Sequence, residues 1–184
     1  MDETLIHTEL LTEYKVDSIE MNIDDKKAYV MVNIRPFMYE FLNELSKIYD
    51  IGLYTASQYF YCKTILKHID PTDKYFKVIL TREHCIKSKC GMMIKNTGLV
   101  SGVSNDDVLI VDDKPANFIN EWENGVPIIP FKDNYDDREL VKLLDYLKML
   151  STKKDFVKSN AEYFKIGRLF EANNMFHAYD LLFG

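Results

Sequence analysis

Val108-Leu109-Ile110-Val111 is a continuous apolar run that ends on two carboxylates, Asp112-Asp113. A short run without polar alternation marks a strand buried on both faces, the pattern of a parallel sheet covered by helices. Sheets of that kind bind ligands outside the C-terminal ends of their strands. The run therefore sets two expectations. The chain is α/β, and its chemistry is to be sought in the polar residues that follow each strand.

The rest of the chain supplies the alternation of strands and helices that such a sheet needs. Two β-rich runs, 18–23 and 28–34, flank Asp24-Asp25-Lys26-Lys27 and predict a hairpin. Pro36 suits the first position of a helix with Phe37, Phe41, Leu45 and Ile48 on its apolar face. Residues 51–54 predict a strand. Residues 57–68 predict a helix with Tyr61, Ile65 and Ile69 along one side, stopped by Asp70-Pro71. Strands are expected at 76–80 and 126–129, and 81–103 reads as loop with a short strand at 92–95. The clearest helix is 136–150, where Leu140, Leu143, Leu144, Leu147 and Leu150 keep a helical period. The tail, with Phe156, Phe164, Leu169, Phe170, Phe176 and Leu181, predicts one or two amphipathic helices. The expected organisation is one domain over 1–151 and a helical extension over 152–184.

Composition narrows the function classes. With 47 % apolar residues the chain can bury a full core, so disorder is excluded. A net charge of −6 without a basic cluster argues against nucleic acid as a partner. The three cysteines, Cys62, Cys85 and Cys90, suit a reducing compartment without a disulfide framework. His84, Cys85 and Cys90 are one ligand short of a structural zinc site and read as ordinary thiols and an imidazole. The chain opens on the charged pair Asp2-Glu3 with no apolar lead-in, so no secretory leader is expected. No apolar run approaches the roughly 20 residues that span a bilayer, so no membrane segment is expected either.

Three strand ends carry polar or charged groups: Thr55 with Ser57, Lys95, and Asp112 with Asp113; Asp2 and Thr4 lie at the N-terminus. Taken singly, each has a plainer reading. Asp113 would be a turn or helix cap, Thr55 a local backbone bonder, Lys95 a solvated charge, and Asp2 with Thr4 a frayed end. Together they describe a phosphate site. One or two carboxylates hold Mg²⁺ through oxygen, while a lysine and a hydroxyl take up phosphoryl oxygens.

Ordered stretches of the chain resemble one family. Asp2-Glu3-Thr4-Leu5-Ile6-His7 resembles the second half of the Asp-x-Asp-x-Thr motif of the haloacid dehalogenase superfamily. Arg35-Pro36, Glu40-Phe41-Leu42, Tyr54-Thr55-Ala56-Ser57, Ile69-Asp70-Pro71, Thr81-Arg82-Glu83-His84-Cys85 and Ile94-Lys95 continue the match. It runs on through Ile110-Val111-Asp112-Asp113-Lys114-Pro115, Asn124-Gly125-Val126-Pro127-Ile128 and Asp137-Arg138-Glu139-Leu140. These resemble the phosphatases of the RNA polymerase II C-terminal domain, in the small-phosphatase or NLI-interacting-factor-like branch.

The resemblance implies a haloacid-dehalogenase-like, mostly parallel sheet with helices on both faces and a β-hairpin insertion. It implies a Mg²⁺-dependent phosphoserine or phosphothreonine protein phosphatase that works through an aspartyl phosphate. In that family the first Asp of the motif is the nucleophile. Asp2 matches the second, the general acid and then base, whose backbone carbonyl faces Mg²⁺. Thr4 completes the motif, Thr55 matches the hydroxyl that holds the phosphoryl group, and Lys95 the cation that neutralises it. Asp112 matches the residue that orients Lys95, and Asp113 the Mg²⁺ ligand, where small-branch members often carry Asn. Asn96 stands where an Asp is common. The implied partner is a phosphorylated protein, the RNA polymerase II tail among the candidates. A monomer in nucleus or cytoplasm is expected.

One departure carries weight. The family's nucleophile falls immediately ahead of Met1, as does the apolar strand that delivers it. That strand is the central one, flanked by the counterparts of 51–54 and 108–111. The chain as written is therefore expected to be inactive and unstable, with backbone groups of two buried strands unpaired. The spacing of Asp2 to Thr4 keeps Asp2 in the second position of the motif rather than the first. A non-catalytic peptide- or phosphopeptide-binding scaffold of the same fold is the alternative expectation.

Overall fold

The computed structural model describes residues 1–23, 26–165 and 167. The expected tail residues Leu169, Phe170, Phe176 and Leu181, and the turn residues Asp24 and Asp25, lie outside them. The chain forms two compact units, Met1–Glu83 with Pro130–Lys142 and His84–Ile129 with Leu143–Gly184.

In the first unit three strands form an antiparallel sheet: β1 (Ile6–Leu11), β2 (Ile19–Ile23) and β3 (Lys26–Ile34). The order is β1-β3-β2, with Ile6 opposite Ile34 and Ile19 opposite Val30. The expected hairpin is β2–β3, tightened so that Lys26 and Lys27 belong to the ladder rather than the turn. The strand β1 is an addition. Its sequence alternates poorly, and it is fixed by pairing along the length of β3 rather than by its own pattern.

Helix α1 runs over Met38–Leu45 and buries Met38, Phe41, Leu42 and Leu45. It starts later than Pro36 because Phe37 adopts a left-handed backbone (φ 66°), which no helical turn continues through. Arg138 lies over the Phe37 ring at 4.7 Å. Strand β4 (Gly52–Tyr54), helix α2 (Tyr59–Ile69) and strand β5 (Val78–Leu80) make a parallel β-α-β unit, with Gly52 opposite Val78. The helix buries Cys62, Ile65, Leu66 and Ile69. Asp70 ends it by accepting the backbone N–H groups of Lys74 and Tyr75 at 2.9 and 3.0 Å. Its carboxylate thus satisfies the reversing chain, which is why Asp70-Pro71 stops the helix.

In the second unit β6 (Ile86–Lys87) and β7 (Met93–Ile94) pair antiparallel within the segment expected to be mostly loop. Strand β8 (Ile110–Asp112) pairs in parallel with β9 (Gly125–Pro127). Both are shorter and shifted relative to the apolar runs that predicted them. Asp112 belongs to the strand rather than following it. Two short 3-10 turns over Pro115–Asn124 join them, broken at Phe118 and Glu121. The Phe118 ring is fully buried against Gly125, where a Cβ would approach a ring carbon to 2.2 Å, so only glycine fits there. Among the described residues β4 has β5 as its one ladder partner and β8 has β9.

Helix α3 (Glu139–Leu150) buries Leu140, Leu143, Leu147 and Leu150, the face that its period predicts. Helix α4 (Phe156–Phe164) is fastened to the second unit by Asn160, which is fully buried. Its Nδ2 donates to the carbonyls of Glu123 and Gly125, each at 2.8 Å, and its Oδ1 accepts from the Tyr146 hydroxyl at 2.9 Å. The rings of Tyr146, Tyr163 and Phe164 pack on one another, edge-on or tilted, with centroids 4.7–5.1 Å apart. The Asn160→Ala variant leaves two carbonyls and a hydroxyl without these partners. We expect a loss of about 2–3 kcal/mol, read as a lower urea midpoint at unchanged slope.

Candidate active site

Two polar clusters form, one in each unit. In the first, Asp2 is held by three hydroxyls. Tyr61 donates to Oδ1 at 2.7 Å, Thr8 to the same oxygen at 3.4 Å, and Ser57 to Oδ2 at 3.1 Å. The Thr8 and Tyr61 hydroxyls lie 2.8 Å apart, so with the Tyr61 proton on Asp2 the single Thr8 proton is shared between Tyr61 and Asp2. Burial, and then the Asp2 charge, push the Tyr61 hydroxyl well above the ordinary phenol range. It therefore remains a donor at any physiological pH. Tyr61 lies on α2 and Ser57 in the turn after β4, so the β-α-β unit itself aims both at the N-terminal segment.

Thr55 joins this cluster through Ser57, whose backbone N–H it accepts at 3.1 Å. That is the local bond its residue type favours, and it orients the Thr55 hydroxyl while the residue itself is buried. The backbone N–H of Thr55 donates to the Leu80 carbonyl at 2.9 Å and extends the β4–β5 ladder by one rung.

The segment that carries Asp2 and Thr4 is buried and tied, not frayed. Met1 and Thr4 are 6 % and 7 % exposed. Glu3 takes a left-handed backbone (φ 61°), a strained conformation of the kind that clusters at functional turns. The buried Arg35 guanidinium holds this turn. Its Nη1 donates to the Thr4 carbonyl at 3.0 Å and the Glu3 carbonyl at 3.4 Å. Its Nε and Nη2 form a fork onto the two oxygens of Asp137, both at 2.8 Å. The Glu3 carbonyl also accepts the Phe131 N–H at 2.7 Å.

In the second unit Lys95 and Asp112 form a buried ion pair through Asp112 Oδ2, each side chain 4 % exposed. The other carboxylate oxygen, Oδ1, accepts the Lys114 N–H at 2.8 Å and the Asn117 amide at 2.9 Å. The Lys95 backbone N–H donates to the Asn117 carbonyl at 2.6 Å. Two residues on, the N–H and hydroxyl of Thr97 both donate to Glu121 Oε2, at 2.8 and 2.6 Å. Lys95 is thus a buried, oriented cation rather than a solvated one.

Asp113 follows at the end of β8, half-buried. Burial first, and the neighbouring Asp112 charge second, raise its carboxyl to about 6. A carboxylate with that deficit suits a hard divalent cation, since Mg²⁺ takes only one or two protein carboxylates and completes its shell with water and phosphate. Among the described residues no group of three or more His, Cys, Asp or Glu is placed to hold a metal. The raised value also has a sign for stability. The folded chain bears a cost for ionising Asp113 that sets in between the unfolded value near 4 and about 6. In chelator, Asp113→Asn should be more stable than the parent above about pH 6. The gain is about 1 kcal/mol after allowance for solvent screening, and it vanishes below about pH 4. Melting temperatures across that range check it.

Sequence reasoning named Asp2, Thr4, Thr55, Lys95, Asp112 and Asp113. The structure gathers Asp2 and Thr55 about Ser57 in one unit and Lys95 with Asp112 and Asp113 in the other. It adds Thr8, Tyr61, Arg35 and Asp137 to the first group and Asn117, Thr97 and Glu121 to the second. Tyr61 had an apolar-face reading, and since α2 also carries Tyr59, residue type alone does not single it out.

A family model described as NLI interacting factor-like phosphatase matches residues 1–157. CTD small phosphatase-like protein 2 of Dictyostelium discoideum is 31% identical over 171 residues, covering 92% of this chain and 30% of that protein. Carboxy-terminal domain RNA polymerase II polypeptide A small phosphatase 1 of Homo sapiens is 32% identical over 162 residues, 84% of this chain and 59% of that one. The chain thus spans 30% to 59% of the length of these curated relatives. The solved structure of Fcp1, an essential RNA polymerase II CTD phosphatase, superposes with a TM-score of 0.58 at 19% identity, covering 99% of this chain and 55% of that one. At that identity the likeness concerns the fold, which is the haloacid-dehalogenase-like α/β fold. With the family match extending through the Asp2–Thr4 segment, the Lys95–Asp112 pair and α3, the chain belongs to the NLI interacting factor-like phosphatases.

Proposed function

We propose that the chain is the catalytic region of a Mg²⁺-dependent protein phosphatase for phosphoserine or phosphothreonine, working through an aspartyl phosphate. The observation that carries the reading is the buried Lys95–Asp112 pair. A desolvated lysine, held by a carboxylate that is itself fixed by two N–H donors, is a cation kept for an incoming anion. The family match and the relatives' names support the phosphatase class.

In this reading Lys95 neutralises the phosphoryl oxygens and Asp112 keeps its ammonium in place. Thr55 binds a further phosphoryl oxygen. Asp2, held by Tyr61, Ser57 and Thr8, protonates the leaving serine or threonine oxygen and then activates water. The nucleophile belongs to the motif position ahead of Met1. Asp113 and the Asp2 carbonyl would hold Mg²⁺, which supplies electrostatic stabilisation of the phosphoryl charge when bound. Substrate is a phosphorylated protein, with the RNA polymerase II tail as the first candidate, and the site of action is the nucleus or cytoplasm.

The test is an N-terminal extension of the chain by an apolar strand that ends in Asp. Hydrolysis of an aryl phosphate with Mg²⁺ should rise from background to enzymatic turnover. No gain over the 184-residue chain would sink the enzymatic reading. Phosphoserine-peptide binding without such a gain would favour a non-catalytic binding scaffold.

A further inference from the structure

We propose that Asn117 is a positioning residue for the Lys95–Asp112 pair, holding one member by its backbone and the other by its side chain. The Asn117 carbonyl accepts the Lys95 N–H at 2.6 Å, and the Asn117 Nδ2 donates to Asp112 Oδ1 at 2.9 Å. Asn117 is itself anchored by its own N–H on the Lys114 carbonyl at 2.8 Å.

The chemistry of the two partners explains why one residue matters at both ends. A carboxylate turns easily about its last torsion, whose profile is broad and two-fold. Oδ1 of Asp112 is occupied by Lys114 N–H and Asn117 Nδ2, so Oδ2 is the oxygen that faces the ammonium. Lysine is a long, flexible stem whose head lands where its backbone is pinned. Pinning occurs at Lys95 through Asn117 and at Thr97 through Glu121. Both pins come from the 3-10 turns of Pro115–Asn124, so one segment sets both the carboxylate rotamer and the origin of the lysine stem. The Asn117 side chain is the part of this arrangement that mutation can remove while leaving the backbone pins in place. No motif spacing in the sequence marks it.

The role rests on the proposed function in one point, that Lys95 meets a phosphoryl group. The experiment uses the full chain with two readouts. Inorganic phosphate binding is measured by calorimetry. The ammonium protons of Lys95 are followed by nitrogen-15 NMR, because an ammonium locked in a buried pair exchanges its protons slowly. Asn117→Ala and the shape-conserving Asn117→Asp should each weaken phosphate binding about tenfold. Both should also speed exchange of the Lys95 ammonium protons, while amide protection of β9 stays as in the parent. A purely structural role would loosen β9 and leave the Lys95 signal intact wherever the protein is folded. Unchanged Lys95 exchange in folded Asn117→Asp would overturn the proposal. If Lys95→Ala leaves phosphate binding unchanged, the phosphate reading fails, and the ammonium signal still decides the positioning role.

Discussion

The Asp137→Ala variant is expected to lose about 3–5 kcal/mol of stability, the cost of leaving a buried guanidinium without its counter-charge. Arg35 is fully buried and forks onto Asp137, 102 residues away in sequence. It also donates to the carbonyls of Glu3 and Thr4, and its face lies over the Phe131 ring at 5.5 Å. Removing Asp137 therefore also loosens the strained turn at Glu3 that presents Asp2. The pH dependence follows from the same pair. Burial pushes the Asp137 carboxyl up, but the Arg35 hydrogen bonds, the Glu139 N–H and the Arg35 and Lys142 charges together outweigh it and hold it below the ordinary range. The unfolded chain thus binds the proton more tightly. The stabilisation is complete above the unfolded value near 4 and is lost as pH falls through the lower folded value. Equilibrium urea unfolding at neutral and acid pH should show the parent and Asp137→Ala converging as pH drops. A parallel pair of curves would contradict the role assigned to this ion pair. Replacing both partners, as Arg35→Met with Asp137→Leu, should recover much of the loss, because no charge is then left buried alone.

The second large effect belongs to Lys95. In the strand-extended chain, Lys95→Ala should lower kcat about 10²–10³-fold, the usual cost of one preorganised charge-stabilising group. The variant is expected to fold, since Asp112 keeps the Lys114 N–H and Asn117 amide on Oδ1. Its stability should fall as well, because Asp112 is left buried with neutral N–H donors in place of its counter-charge. Comparing kcat with the melting temperature separates the two. A variant that loses stability and keeps kcat would show that Lys95 is a structural ion rather than a phosphoryl ligand.

The fold was legible where hydrophobic pattern decides structure. The apolar runs before Asp112 and at 126–129 became the parallel pair β8–β9, and the leucine period became the buried face of α3. Boundaries moved where a single backbone angle decides, as at Phe37, whose left-handed φ delays α1. What stayed hidden depends on long-range partners. The strand β1 is made by β3, and a charge pair 102 residues apart leaves no local trace of its burial. Thr55, Lys95, Asp112 and Asp113 stood out because strand ends in α/β sheets are where ligands bind, and Asp2 and Thr4 through their resemblance to the Asp-x-Asp-x-Thr motif. Asn117, Tyr61 and Thr8 did not, because their roles follow from where a hydroxyl or an amide ends up in space. The same holds for Lys95, whose type alone suggests a solvated charge and whose burial reverses that.

In the proposed reaction Lys95, positioned by Asp112, serves a phosphoryl group carried on an aspartate. Trapping that intermediate tests it most directly. The strand-extended chain is mixed with an aryl phosphate and Mg²⁺, quenched in acid, and analysed by peptide mass spectrometry. The account predicts one base-labile phosphoryl group on the introduced Asp, absent when that Asp is Asn and when Lys95 is Ala. Phosphate found on Asp2 instead, or on no carboxylate while hydrolysis proceeds, would contradict it.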